Sequence, residues 1–169
     1  MKIRCPHSLL LCCLPGLLFL TGCGSNSTVV QPLSAATALG GPPAHYVAGQ
    51  FSAGKTEIPT HIIEAIKGHL DAELRKRGLA AATDEKNVLR IDSTATYYRM
   101  RSGVSRMMFG ILAGKDGVEC DVQLVNRETG QSVGQLKVSS YNMLAVGGED
   151  DVARMLAEEI AKVIEANRK

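Results

Sequence analysis

Two consecutive runs, from Gly117 to Asn126 and from Ser132 to Met143, alternate apolar and polar residues with a period of two. In the first, Val118, Cys120, Val122 and Leu124 fall on one side, and Glu119, Asp121 and Gln123 on the other. That period belongs to a strand with one dry and one wet face, and it excludes a helix over the same residues. Arg127-Glu128-Thr129-Gly130 joins the runs as a short turn, with glycine where a positive φ is useful. Val88 to Arg101 repeats the habit, with Leu89, Ile91, Ala95 and Tyr97 set against Arg90, Asp92, Thr94, Thr96 and Tyr98. His45 to Phe51 reads as a further strand, the first in chain order.

Each one-sided strand needs a cover, and two segments with helical periodicity supply it. Between about Thr60 and Arg77, Ile62, Ile63, Ile66, Leu70 and Leu74 form one stripe, and Gly78 marks the stop. Between about Glu149 and Asn167, Val152, Met155, Leu156, Ile160, Val163 and Ile164 form another. Glu149, Asp150 and Asp151 open this second helix, where carboxylates oppose the positive end of the helix dipole. They lack the loop spacing of a calcium site, and no metal site is expected. The order β-α-β-β-β-α predicts an α+β fold: a two-layer sandwich whose four-stranded mixed sheet carries both helices on one face. The strand-helix-strand unit is expected to be parallel and the later strands antiparallel. The uncovered face would carry Arg90, Asp92, Thr94, Tyr98, Glu119, Asp121, Gln123, Lys137 and Ser139.

The N-terminus is organised differently. Lys2 and Arg4 precede an apolar run from Leu9 to Leu20, too short to span a hydrocarbon core ~30 Å thick. Leu20-Thr21-Gly22-Cys23 follows and resembles the lipobox that a bacterial lipoprotein signal peptidase cuts ahead of an acylated cysteine. The resemblance implies a signal peptide at 1–22 and, at Cys23, diacylglycerol plus a third acyl chain such as palmitate. Several chains make attachment durable, because each buried methylene contributes roughly 0.8 kcal/mol. Gly24 in place of aspartate resembles the set sorted to the outer membrane. Residues 23–44 hold no charge and are rich in Ser, Thr, Gly and Pro, so they read as the lipidated cysteine and a flexible tether of roughly 25 Å mean reach. The single α+β domain is then 45–169.

Several function classes lose support. Removing Lys2 and Arg4 with the signal takes the 19 Lys+Arg to 17, equal to the 17 Asp+Glu, so no basic footprint for nucleic acid is expected. Aromatic residues make up only 4 % and there is no Trp, a poor basis for stacking sugars or bases. Cys5, Cys12 and Cys13 leave with the signal, and acylation consumes Cys23. The remaining Cys120 has no disulfide partner and sits on the apolar side of its strand.

Gly49 to Thr56, GQFSAGKT, matches the P-loop pattern letter for letter. A working P-loop needs a helix starting at its Lys-Thr end, whereas Pro59 pushes the helix start further on. Nucleotide binding is therefore not expected. His61 and His69, eight residues apart on one helix, stand about 12 Å from each other and cannot share a metal or a substrate atom. No G-x-S-x-G elbow is present. The expectation is a protein that is not an enzyme and needs no cofactor.

One segment stands apart. Gly103 to Gly114, GVSRMMFGILAG, packs Val104, Met107, Met108, Phe109, Ile111 and Leu112 between glycines, with Arg99, Arg101 and Arg106 nearby. Two readings stand: a cover over one end of the core, or a docking loop whose methionines adapt to a partner or to the lipid interface. As a docking loop its candidate contacts are Arg106, Met107, Met108, Phe109, Ile111 and Leu112.

SRMMFGILAGKDGVECDVQLVNRETGQSVG at 105–134 and GGEDDVARMLAEEIAKVI at 147–164, together with the lipobox, resemble the bacterial lipoproteins of domain-of-unknown-function family 4410. That family has no established activity, so the resemblance implies location and fold and transfers no catalytic residue. The expected protein is lipid-anchored at the cell outer membrane and faces the periplasm. It acts as a non-enzymatic interaction or assembly module of the cell envelope, with an envelope protein as partner. The alternative is a periplasmic carrier or sensor of a small apolar or lipid ligand.

Overall fold

The computed structural model describes residues 23–31, 45–83, 85–101, 116–142 and 148–167. Five strands and two helices follow in the order β1 (Cys23–Gln31), β2 (His45–Ser52), α1 (Thr60–Lys76), β3 (Val88–Arg99), β4 (Asp116–Asn126), β5 (Ser132–Asn142) and α2 (Glu149–Ala166). The strands form one sheet in the order β1-β5-β4-β3-β2. β2 and β3 run parallel on either side of the α1 crossover, and every other pair is antiparallel. Both helices pack on one face, α1 over β2 and α2 over β5, β1 and β4, and they pack on each other. Among the described residues no helix is long and apolar enough to cross a membrane.

The expected α+β sandwich is therefore present, with one correction: the sheet has five strands. The fifth, β1, occupies residues assigned to the tether, and its register with β5 runs from Cys23↔Asn142 to Gln31↔Gln135. Its segment has no charge and no amphipathic stripe, so the pattern that revealed the other strands is missing. The remaining signal is Thr28-Val29-Val30, a β-branched triplet in an otherwise small polar run.

The core lies where the alternation places it. Leu89, Ile91, Val118, Cys120, Val122, Leu124, Leu136 and Val138 from the sheet meet Ile62, Ile66, Leu70, Leu74, Val152, Leu156, Ile160 and Ile164 from the helices, all buried. α1 ends in a Schellman motif: Leu79 N–H donates to Leu74 C=O at 2.8 Å, Gly78 N–H to Arg75 C=O at 3.1 Å, and Gly78 takes φ +64°. Both leucines are buried, which supplies the apolar contact that accompanies this cap. In the β4–β5 turn, the Asn126 side chain accepts from the amides of Glu128 and Thr129, at 2.8 and 3.0 Å, an Asx turn.

A second correction concerns Tyr98, expected on the open face. A bulge between Ala95 and Tyr97 inserts Thr96 without a partner, so Tyr97 pairs with Glu119 and the alternation shifts by one. Tyr98 thus turns to the helix side, packs against the core and donates its hydroxyl to Glu149 at 3.1 Å. Burial, reinforced by the Glu149 charge, pushes the Tyr98 phenol up to about 12.

Candidate functional site

Strand direction brings Cys23 to the same end of the sheet as Arg101 and Asp116, the described residues on either side of the apolar segment. Cys23 is the first residue of β1, and its partner Asn142 is the last of β5. Asn142 pairs in turn with Asp116, the first residue of β4. β3 finishes at this end, where Arg101 meets Asp116. The guanidinium Nε lies 2.8 Å from Oδ1 and the Arg101 backbone N–H donates to the same oxygen at 3.1 Å. The two side chains are 8 % and 0 % exposed, so Arg101 is committed to a buried ion pair and is not an available docking charge. Arg99 is exposed. The lipobox residues Leu20, Thr21 and Gly22 lie outside the described residues, as do Arg106, Met107, Met108, Phe109, Ile111 and Leu112 of the apolar segment. The chain leaves the described sheet for that segment beyond Arg101 and returns at Asp116, the same end as Cys23.

The open face of the sheet is polar. A groove of about 290 Å³ crosses β1, β5, β4 and β3, lined chiefly by Asn26, Thr28, Thr96, Glu119, Asp121 and Lys137. The Tyr141 hydroxyl donates to Glu119, and burial together with that carboxylate pushes the phenol up to about 12. Lys137 and Asp121, directly opposite in register, form a loose ion pair at 3.8 Å. Towards β2, Arg90 and Asp92 form a close pair at 2.6 Å, and Asp92 also accepts from the Gln50 amide at 2.9 Å. Burial raises the Asp92 carboxyl, but the Arg90 hydrogen bonds and charge and the Gln50 amide outweigh it, holding it below its ordinary value.

The P-loop-like glycines are accounted for by this packing. A Cβ on Gly49 would stand 2.2 Å from Asp92 Oδ1 and 2.5 Å from Arg90 Cγ, so only glycine lets the ion pair lie across β2. Gly54, at φ +59°, turns the chain against the Ala95 carbonyl, which a Cβ would approach to 2.7 Å. α1 starts at Thr60 behind the N-cap Pro59, four residues beyond Thr56, so its amides do not converge on the Lys55-Thr56 end.

The histidines and the cysteine hold structural places. His61 Nε2 lies 2.9 Å from Glu149 and His69 Nε2 2.7 Å from Asp150, stitching α1 to the start of α2. His45 contacts Glu85 at the opposite end. Cys120 is 1 % exposed beneath the helices, and burial, with Asp121 and Glu119 adding to it, pushes its thiol far above the ordinary range. Among the described residues no His, Cys, Asp and Glu side chains cluster as a metal site.

Sequence reasoning missed one residue. Glu159 of α2 has a side chain only 9 % exposed. It accepts from the Ser25 hydroxyl at 3.1 Å, from the Ser27 hydroxyl at 2.7 Å and from Lys162 at 3.3 Å. It lies on the buried side of α2, where only a carboxylate with nearby donors is tolerated. A glutamate on a helix face otherwise buried through Leu156, Ile160 and Ala161 was the available signal.

Comparison with known proteins places the fold. PelC dodecamers from Paraburkholderia phytofirmans, in two crystal forms, are similar to this chain at 16 % and 15 % identity, each with a TM-score of 0.53, and each alignment covers 84 % of this chain and 96 % of PelC. At that identity the likeness is one of fold alone. A protein from Caulobacter crescentus CB15, provisionally named a lipoprotein, aligns over 74 % of this chain and 87 % of its own at 16 % identity and a TM-score of 0.37, below the level that carries an argument. No curated protein matches the chain. The model of a domain of unknown function, DUF4410, matches residues 37–147, which run through β2, α1, β3, β4 and β5 and leave out β1 and α2. The chain belongs to the DUF4410 family.

Proposed function

We propose that this protein is a lipid-anchored lipoprotein of the bacterial envelope, held at the outer membrane through Cys23, and that its periplasmic domain is a non-enzymatic interaction module. One observation carries the reading: the lipobox Leu20-Thr21-Gly22-Cys23 ends on the first residue of an ordered strand, so cleavage ahead of Cys23 frees the folded domain without cutting into it. The reactive side chains support the non-enzymatic part, because His61, His69 and Cys120 are each occupied in packing or in helix-to-helix pairing. The apolar segment around Met107, Met108, Phe109, Ile111 and Leu112, with Arg106, remains the docking element for an envelope protein. The groove on the open face is polar-lined and lends no support to a carrier of apolar ligand.

Two measurements test the reading. Cys23→Ala should leave an uncleaved, unacylated precursor, seen as a mass shift and a loss of flotation with outer-membrane vesicles; a variant that matures and floats like the parent refutes the anchor. Charged replacement of Met108 or Phe109 should abolish co-purification with the partner while leaving a folded domain, and a variant that simply unfolds refutes the docking role.

A further inference from the structure

We infer that the domain stands on the bilayer end-on, by the end where β1 begins, with no spacer between the acyl chains and the sheet. This rests on the reading of Cys23 as the acylated residue. The antiparallel pairings of β1 with β5, β5 with β4 and β4 with β3, and the parallel pairing of β3 with β2, make the start of β1 coincide with the ends of β2, β3 and β5 and the start of β4. The N-terminal ends of both helices are there too, since His61 and Tyr98 meet Glu149. At the far end lie Gln31, His45 and the 127–131 turn, with Arg77 joined to Glu165 at 2.6 Å beside the two helix C-termini. The 11 residues of β4 separate the ends by about 34 Å.

A free chain from Gly24 to Ala44 would let the domain tumble at the membrane. Residues 23–31 are instead paired along β5, so no free chain intervenes between the acylated residue and the sheet. Acyl burial holds this residue in the headgroup layer. The end of the sheet that contains it must therefore lie against the headgroups. Among the described residues, exposed Lys55 and Arg99 stand there with exposed Glu57 and Asp150, and the orientation rests on the anchor. The strands then rise from the membrane and display the polar groove and the 127–131 turn to the periplasm.

The test uses the full acylated protein in vesicles of phosphatidylethanolamine and phosphatidylglycerol that carry a nitroxide-headgroup lipid. Lys55→Cys and Glu128→Cys, both at exposed turns at opposite ends, are labelled with an environment-sensitive dye; buried Cys120 does not compete. With the two sites about 34 Å apart, quenching at Lys55→Cys should exceed that at Glu128→Cys by at least about fivefold. Inserting about ten Gly/Ser residues after Cys23, roughly 17 Å of mean reach, should collapse the difference. Equal quenching in protein that floats and carries acyl mass on Cys23 overturns the orientation alone. Protein without acyl mass overturns it together with the lipoprotein reading. A difference that survives the insertion overturns the spacer-free anchor as its cause.

Discussion

Removing the Glu159 carboxylate should loosen β1 specifically, because little else besides its backbone ladder holds that strand to the domain. Ser25, Ser27 and Val29 share the helix-side face of β1, and none of the described β1 side chains belongs to the buried core. Val29 and Val30 are 40 % and 50 % exposed. The pair of serine hydroxyls donating to Glu159 at 3.1 and 2.7 Å is the polar link from β1 to the helix layer. A hydrogen bond to a charged group contributes about 1.5–3 kcal/mol, and these serines are partly hydrated, so Glu159→Ala should cost about 2 kcal/mol in all. That corresponds to roughly 30-fold faster hydrogen exchange at the β1–β5 amides, if β1 opens as a local unit. Denaturant titration of Glu159→Ala, of Ser25→Ala/Ser27→Ala and of the combined variant gives the coupling directly, expected at about 1–2 kcal/mol. Coupling below about 0.3 kcal/mol, or β1–β5 exchange no faster than in the parent, refutes the assignment.

The same residue sets a pH dependence. Burial pushes the Glu159 carboxyl up, but the hydrogen bonds from Ser27, Ser25 and Lys162 and the Lys162 charge outweigh it, and the net shift is downward from 4.5. A carboxyl with a depressed folded value binds protons more readily in the unfolded chain, so its stabilisation is fully present above 4.5 and fades as pH falls through the folded value. The stability gap between the parent and Glu159→Gln should be constant at neutral pH and shrink below 4.5.

Two further substitutions probe the Cys23 end. Asp116→Ala removes one partner of the buried Arg101–Asp116 ion pair and should cost about 3–5 kcal/mol in denaturant titration; a loss under about 1 kcal/mol means the pair is hydrated in solution. Gly117→Ala places a Cβ 2.4 Å from the Tyr141 ring and 2.5 Å from the Ser140 carbonyl, the latter backbone and unable to swing away. It should cost about 1–3 kcal/mol, and an unchanged midpoint would show that the β4–β5 ladder gives way freely at this position.

How much of this was legible in the sequence depended on whether burial is one-sided. Ile62, Ile66, Leu70 and Leu74, or Val118, Cys120, Val122 and Leu124, repeat at the period of their element because one face meets the core, and α1, β4, β5 and α2 appear within a residue or two of their expected bounds. Tyr98 escaped because a bulge resets the period, and nothing in Ala95-Thr96-Tyr97 announces one. β1 escaped because none of its described side chains is a buried apolar one. Arg101 was legible as a charge, but its partner Asp116 lies fifteen residues away, across a segment whose path the pattern does not specify. Of the candidate site, Cys23 could be named from four letters; its place in the sheet could not, since that depends on a strand recognised only through its pairing with β5.

The polar attachment of β1 makes physical sense once the strand is the segment that bears the anchor. A pull on Cys23 runs along the strand axis, whereas the ladder hydrogen bonds lie perpendicular to it, so the load is shared along the whole β1–β5 register from Cys23 to Gln31 and does not unzip one bond at a time. Strength against such a pull does not need an apolar face. Release of the strand would not detach the domain, because the chain continues from Gln31 to His45. It would turn residues 23–44 into a flexible linker with roughly 25 Å of mean reach. With the proposed anchor at Cys23, the docked domain would be held end-on at the headgroups, and the released one would be tethered and free to turn. Under that proposal Glu159, through Ser25 and Ser27, would shift the balance between the two arrangements.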